Sequence, residues 1–379
     1  MRSHPITVSI SVLILATVGV FVQIEGASWD VMSHLLRRPE TFFTPSHAML
    51  YTGVGLLIIS AAISALLLRK NNKEILTKSF STALKLLIIG SVISLIAGPS
   101  DYLWHQVFGV DGLLSPTHLA LVTGMLINSI AVVLGLARII VHFPTVRERR
   151  LRRLIKAAMI PAFAAMWLTM IWYVYMFALP LSDGQHFNFN LNPVHESIIA
   201  IIALPTIDSI LFTTASRTIG RFGAATAVTA LLVGMNSFAN IIPSSQLMPF
   251  LPWYLMLIIP AVVSDFILNK STIIRVPKVR KAETSAIIGR AIIGSVFYIV
   301  GYPMLPITFA EPLSYTFRSM NDISTNFVRT LPLVFILTAG PGAALGIIGA
   351  IISVKKIRVP QTKNIANNIL SEARNNQLY

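Results

Sequence analysis

Apolar runs of membrane-spanning length dominate this sequence and leave little chain for any other kind of fold. A helix needs about 20 predominantly apolar residues to cross the hydrocarbon core of a bilayer. Beyond the opening stretch, such runs fall at 46–68, 83–98, 116–141, 157–179, 194–214, 222–241, 249–269, 285–309 and 331–353. The opening, residues 1–28, has the early Arg2, apolar core and small residues of a signal peptide. Its apolar run is long for that role, and it occupies the place of a later internal helix, so it is read as a retained first helix. Charged residues are only 12% of the chain and hydrophobic ones 54%, where a soluble domain carries roughly 25% charged residues. Lipid offers no partner to a free backbone polar group, which favours helices. The expected fold class is all-α: a polytopic integral membrane protein of about ten transmembrane helices, built from tandem helical-hairpin repeats.

The net charge of +15 would suggest nucleic acid as a partner of a soluble protein. Here the basic residues cluster in short loops between apolar runs, so the expected partner is the lipid bilayer and no nucleic acid. One set of loops holds Arg69, Lys70, Lys73 and Lys78, then Arg147 to Arg153, Arg217 and Arg221, and Lys270 to Lys281, followed by the tail from Lys355. The opposite loops carry only Arg37, Arg38, Arg318 and Arg329. By the positive-inside rule the protein is expected in the cell membrane with both termini cytoplasmic. The chain has no cysteine, which excludes disulfides, thiolate metal sites and thiol nucleophiles.

Against this apolar background one polar pattern occurs twice, on the side expected to be extracytoplasmic. Residues 29–53, WDVMSHLLRRPETFFTPSHAMLYTG, align without a gap with residues 100–124, SDYLWHQVFGVDGLLSPTHLALVTG, 71 positions later. Asp30, His34 and His47 fall on Asp101, His105 and His118, giving Asp-x3-His-x12-His twice. Pro45/Pro116, the flanking hydroxyl residues and Thr52-Gly53/Thr123-Gly124 are kept as well. Asp and His four apart share one face of a helix and can aim at one point. The second His follows a Thr44-Pro45-Ser46 or Ser115-Pro116-Thr117 sequence that reads as N-cap, N1 and N2, and this fixes the imidazole one turn into the next helix. Solvated helix ends would also use Asp and His, but recurrence at fixed spacing beside a membrane favours a metal site. Two imidazoles and a carboxylate suit Cu(II), non-haem iron or zinc and leave coordination positions open.

A looser third copy is expected over about 157–214, with Asp183, His186 and His195 as weaker metal candidates and Pro193 two residues before the last His. The metal chemistry is thereby assigned to residues 1–141, and 142–379 to helices 5–10, this third copy and scaffold. Met32, Met49 and Met125 could add soft ligands, although Met in a membrane helix more often packs. Asp208, Asp265 and Arg290 read as ion pairs or snorkelling groups in later helices.

At the paired motif the sequence resembles a membrane-embedded, copper-binding subunit of the copper membrane monooxygenases, the particulate methane and ammonia monooxygenases. The resemblance rests on Asp30, His34 and His47 with RRPETFFTPSHAMLYTG between and after them, and on Asp101, Trp104-His105 and Ser115-Pro116-Thr117-His118. It covers about 25 residues per copy and points to a divergent, duplicated relative. It implies copper on the two triads near the outer leaflet, beside a site of oxygen activation, and partner membrane subunits. The resulting expectation is a copper-dependent monooxygenase-like subunit or stand-alone oxidase that takes electrons from an external donor, since no haem, flavin or iron–sulfur motif is present. A metal-ion transporter and a non-catalytic subunit of a membrane complex are the alternatives.

Overall fold

The computed structural model describes residues 4–35, 38–39, 41–70, 78–109, 114–142, 149–178, 193–242 and 257–273, together with 255, 292, 296, 340, 342–349 and 351–352. The described chain is all-α and contains no strand. Its helices are α1 (His4–Leu35), α2 (Pro45–Lys70), α3 (Lys78–Phe108), α4 (Pro116–His142), α5 (Arg149–Ala178), α6 (Pro193–Ile219), α7 (Ala224–Ile241) and α8 (Ile258–Ile273).

Five helices among the described residues are long and apolar enough to cross a membrane, namely the bodies of α1 to α5. The α6–α7 pair, bent by 119°, makes a sixth if counted as one span. The bend falls where Gly220 and Gly223 take φ of 63° and 81°, a conformation open to glycine at little cost. This is a multi-pass membrane architecture. The predicted spans at 285–309 and 331–353 lie outside the described residues apart from short helical stretches, so the expected number of ten is not reached among the described residues. Exposed apolar side chains such as Ile89, Val92, Ile96 and Leu103 on α3 give that helix the outward surface a lipid-facing element needs.

α3 runs past the predicted end of its span at residue 98 and carries Pro99 inside it. Proline removes the N–H that would bond the carbonyl four residues back. The Ser100 hydroxyl donates to the Ile96 carbonyl at 2.8 Å on the next rung, the kind of local compensation that lets membrane helices carry proline. The helix therefore extends far enough to present Asp101 and His105 on successive turns.

α1 packs most extensively on α2 and α3 on α4, and α1 also touches α4, α5 and α7. Glycines set the closeness of these pairs. A Cβ on Gly26 would run into the Leu50 backbone, and one on Gly53 into the backbone of Gln23. On the other pair, a Cβ on Gly124 would meet the Gly90 carbonyl and the Ser94 nitrogen, both at 3.0 Å. Small residues allow helix backbones this close where lipid provides no hydrophobic drive for association. Thr52 and Thr123, each just before such a glycine, turn their hydroxyls onto the carbonyls of Ala48 and Leu119 at 2.8 and 2.6 Å.

Gly53→Val is expected to force α1 from α2 and to lower thermal stability in detergent by about 1–3 kcal/mol, the usual cost of overpacking. Gly55→Ala, two residues on and facing open space, is the matched control and should unfold at the wild-type temperature or slightly above it.

A candidate metal centre between the helix hairpins

Each motif joins the C-terminal part of one helix to the first turn of the next. α2 and α4 begin at Pro45 and Pro116, as the capping pattern predicts. The carbonyls of Thr44 and Ser115 accept the first helical bonds, from Ala48 and Leu119 at 2.8 and 2.9 Å. Ser115 also caps with its side chain, its Oγ accepting the His118 N–H at 3.0 Å. Thr44 instead donates its hydroxyl to the Thr41 carbonyl at 3.1 Å.

Around Asp101 the three predicted ligands come together. His105 Nε2 stands 3.4 Å from Asp101 Oδ2 and His118 Nε2 stands 3.2 Å from Oδ1. One ligand atom from each of Asp101, His105 and His118 lies within 4.8 Å of the others. Ligands at about 2.1 Å from a common ion are separated from one another by roughly 3–3.4 Å in cis or tetrahedral arrangements. The two Asp–His distances fall in that interval. The carboxylate is further fixed by Thr117, whose hydroxyl donates to Oδ1 at 2.6 Å.

The orientation of the rings sharpens the point. His105 Nδ1 is 3.0 Å from the Gly109 carbonyl, and a carbonyl can only accept, so Nδ1 carries the proton. The neutral ring then presents its Nε2 lone pair to the carboxylate. Two lone pairs facing each other require a cation between them, either a proton on the imidazole or a metal ion. The donor set of two imidazole nitrogens and a carboxylate fits a first-row transition metal, and a carbonyl acceptor behind the ring is how metal-ligating histidines are commonly held.

Asp30 and His47 reproduce this geometry. His47 Nε2 is 2.9 Å from Asp30 Oδ1, Ser46 Oγ donates to the same oxygen at 2.9 Å, and His47 Nδ1 is 2.8 Å from the Thr41 carbonyl. His34 lies in the last turn of α1, with its side chain outside the described residues. His195 lies in the first turn of α6, which begins at Pro193, and its side chain is likewise outside them. Asp183 and His186 are also outside the described residues.

Spacing along the chain carries no sign that both motifs open onto one cavity. Asp30, His47, Asp101 and His118 line the same cavity, of about 60 Å³. Ile24, Leu50, Leu121, Trp172 and Met176 give it an apolar wall, and Met125 also lines it. Met32 is buried in the core instead. Tyr51 sits between the motifs, its ring 5.8 Å from that of His47 and packed on Phe42, which in turn meets Tyr102. The cavity has room for a few water molecules or a small ligand.

Two acidic residues behave unlike their sequence reading. Asp265, read as an ion pair or a snorkelling group, caps α7 from α8. It accepts the Ala225 and Thr226 N–H groups at 3.1 and 2.8 Å and the Thr226 hydroxyl at 2.7 Å. Asp208 is fully buried in α6 with no hydrogen-bond partner among the described residues. Glu25, one acid within the long apolar run of α1, has no periodic signal in the sequence. It too is buried, and both its oxygens lack a partner among the described residues. Arg290 lies outside them.

Compared with known protein families, with curated proteins and with solved structures, the chain matches none.

Thr117→Val removes a donor from Asp101 without touching a ligand atom. It is expected to weaken binding of added Cu(II) or Zn(II) by about 10–100-fold, as loss of an outer hydrogen bond typically does. Equilibrium dialysis against the wild type measures this, with unchanged circular dichroism as the fold control.

Proposed function

We propose that this chain is a copper-binding membrane protein that takes part in O2 chemistry, as an oxidase or as a subunit resembling those of the copper membrane monooxygenases. The observation that carries the reading is the convergence of Asp101, His105 and His118 ligand atoms within 4.8 Å. A three-ligand shell leaves positions open for an exogenous molecule, unlike a closed structural site. Copper is preferred over iron or zinc because it binds nitrogen and oxygen donors most strongly among the divalent first-row ions, and because the motifs resemble that family's copper site. Bound there, copper would supply one-electron redox chemistry.

The residues divide the remaining work. Asp101 neutralises part of the metal charge. His105 and His118 hold their Nε2 atoms toward it, and Thr117 keeps the carboxylate from rotating. Asp30 and His47, with His34, form a second site of the same kind on the facing wall, so the motif is read as a duplicated unit. Ile24, Leu121, Trp172 and their neighbours exclude bulk water and suit a small apolar substrate. Monooxygenation sends one oxygen atom of O2 into substrate and the other into water, and it consumes an electron pair and two protons. The electrons must come from a donor outside the chain, with other membrane subunits as its natural carriers. The distribution of basic loops supports a cell-membrane location with both termini cytoplasmic and the metal motifs on the outer face.

A metal-ion transporter is the second reading, favoured by Glu25. This buried carboxyl lies five residues before Asp30 in α1, about 7.5 Å further along the helix axis, where a path from the outer site would continue. Asp265 lends this reading nothing, because it is occupied in capping α7.

The deciding experiment is elemental analysis of protein purified in mild detergent without added metal, beside the His34→Ala/His105→Ala and His47→Ala/His118→Ala double variants. Stoichiometric copper in the wild type, lost in both variants at unchanged helicity, is expected, with O2 uptake under a chemical reductant following the copper. Zinc or iron in its place would remove the oxygenase reading and keep the site. Equal metal content in all three proteins would sink the site itself. Uptake of copper into proteoliposomes that Glu25→Gln abolishes would decide for transport.

A further inference from the structure

At the other end of α5 a second pocket has the opposite chemistry. Arg152, Arg153 and Lys156 in the first turns of α5, and Arg221 in the link between α6 and α7, line a pocket of about 390 Å³. No carboxylate lines it among the described residues. Four cations brought together repel one another, at a cost that an occupant of opposite charge removes. Lys156 donates to the Ile219 carbonyl at the C-terminus of α6, which offsets the negative end of that helix and leaves the pocket basic. Arg152 Nε is buried and has no acceptor among the described residues. A buried donor of this kind calls for a partner.

We infer that this pocket binds a phosphate-bearing anion. Three guanidinium groups, each a planar fork of donors, match the tetrahedral array of phosphate oxygens better than they match a single carboxylate or halide. The N-terminus of α5 adds N–H groups and the positive end of a helix to the same place. The pocket lies at the end of a membrane-length helix, where basic pockets between helices meet lipid headgroups. Its ligand is either the headgroup of an anionic phospholipid or a soluble phosphate, and both offer the same oxygens. This inference is independent of the metal reading, since none of its residues belongs to that site.

The test uses the full chain in phosphatidylcholine nanodiscs and reads thermal unfolding at constant ionic strength. One arm replaces part of the lipid with phosphatidylglycerol, and the other adds inorganic phosphate. Stabilisation with phosphatidylglycerol alone assigns the pocket to a lipid headgroup, and stabilisation with phosphate as well assigns it to a soluble anion. Arg221→Gln, at an exposed link residue that the fold does not need, is expected to shift the half-maximal dose by roughly tenfold, the loss of one charge-assisted hydrogen bond. Arg69→Gln, in the last turn of α2 and outside the pocket, should leave it unchanged. No stabilisation in either arm, or identical behaviour of the two variants, would overturn the inference.

Discussion

The contact between an aspartate near the end of one membrane helix and the first turn of the next is the constraint around which the described structure is arranged. A carboxylate held among apolar helices loses its hydration, a penalty of several kcal/mol unless hydrogen bonds and opposite charge replace the water. Asp30 receives Ser46 and His47, and Asp101 receives Thr117, His118 and His105. Every one of these partners except His105 is supplied by the helix that follows. The proline at the start of that helix, the hydroxyl before it and the carbonyl behind each imidazole act together to deliver one ring nitrogen to one oxygen. The glycines deeper in each pair let the two helices approach closely enough for the contact to close.

Convergence of the two motifs changes what either can do. α1 touches α2, α4 and α5, so Asp30 faces the space into which Asp101 and His118 project. Two sites that share a cavity of about 60 Å³ feel each other's charge. Unit charges roughly 8 Å apart at an effective dielectric of about 20 interact by about 2 kcal/mol, so occupancy of one site by a cation would oppose occupancy of the second. Negative cooperativity between the sites, or a shared anionic ligand that offsets the repulsion, follows from their arrangement.

Local features are legible in the sequence because they depend on spacing within one helix or across one cap. Asp101 and His105 are four residues apart and meet at the same carboxylate, and Pro45, Pro116 and Pro193 each begin a helix. The convergence on one cavity is not legible, since no pattern in α1 states which face of α4 or α5 it will meet. Pro99 hides the true end of the third helix, because proline breaks helices in water more consistently than it does among membrane helices, where a neighbouring hydroxyl can bond a nearby carbonyl. The role of Asp265 is hidden for a related reason: its partners are backbone N–H groups of another helix, and backbone donors leave no trace in sequence. Glu25 is silent too, because a lone acid in an apolar run has no spacing to detect.

The metal centre and the basic pocket lie at opposite ends of one element. Arg152 and Lys156 stand at the start of α5, and Trp172 lines the cavity near its end. The roughly twenty residues from Arg152 to Trp172 extend about 30 Å, the thickness of the hydrocarbon core. Across that distance a unit charge acts on another by only about 0.5 kcal/mol at an effective dielectric of about 20. The field alone therefore leaves the two sites almost independent, and a phosphate at one end would barely alter metal affinity at the other. Any larger coupling would have to be mechanical, carried by α5 against α1 and α4. Pro161, inside α5 between the two ends, interrupts the hydrogen-bond ladder at one point and is where such a helix would bend.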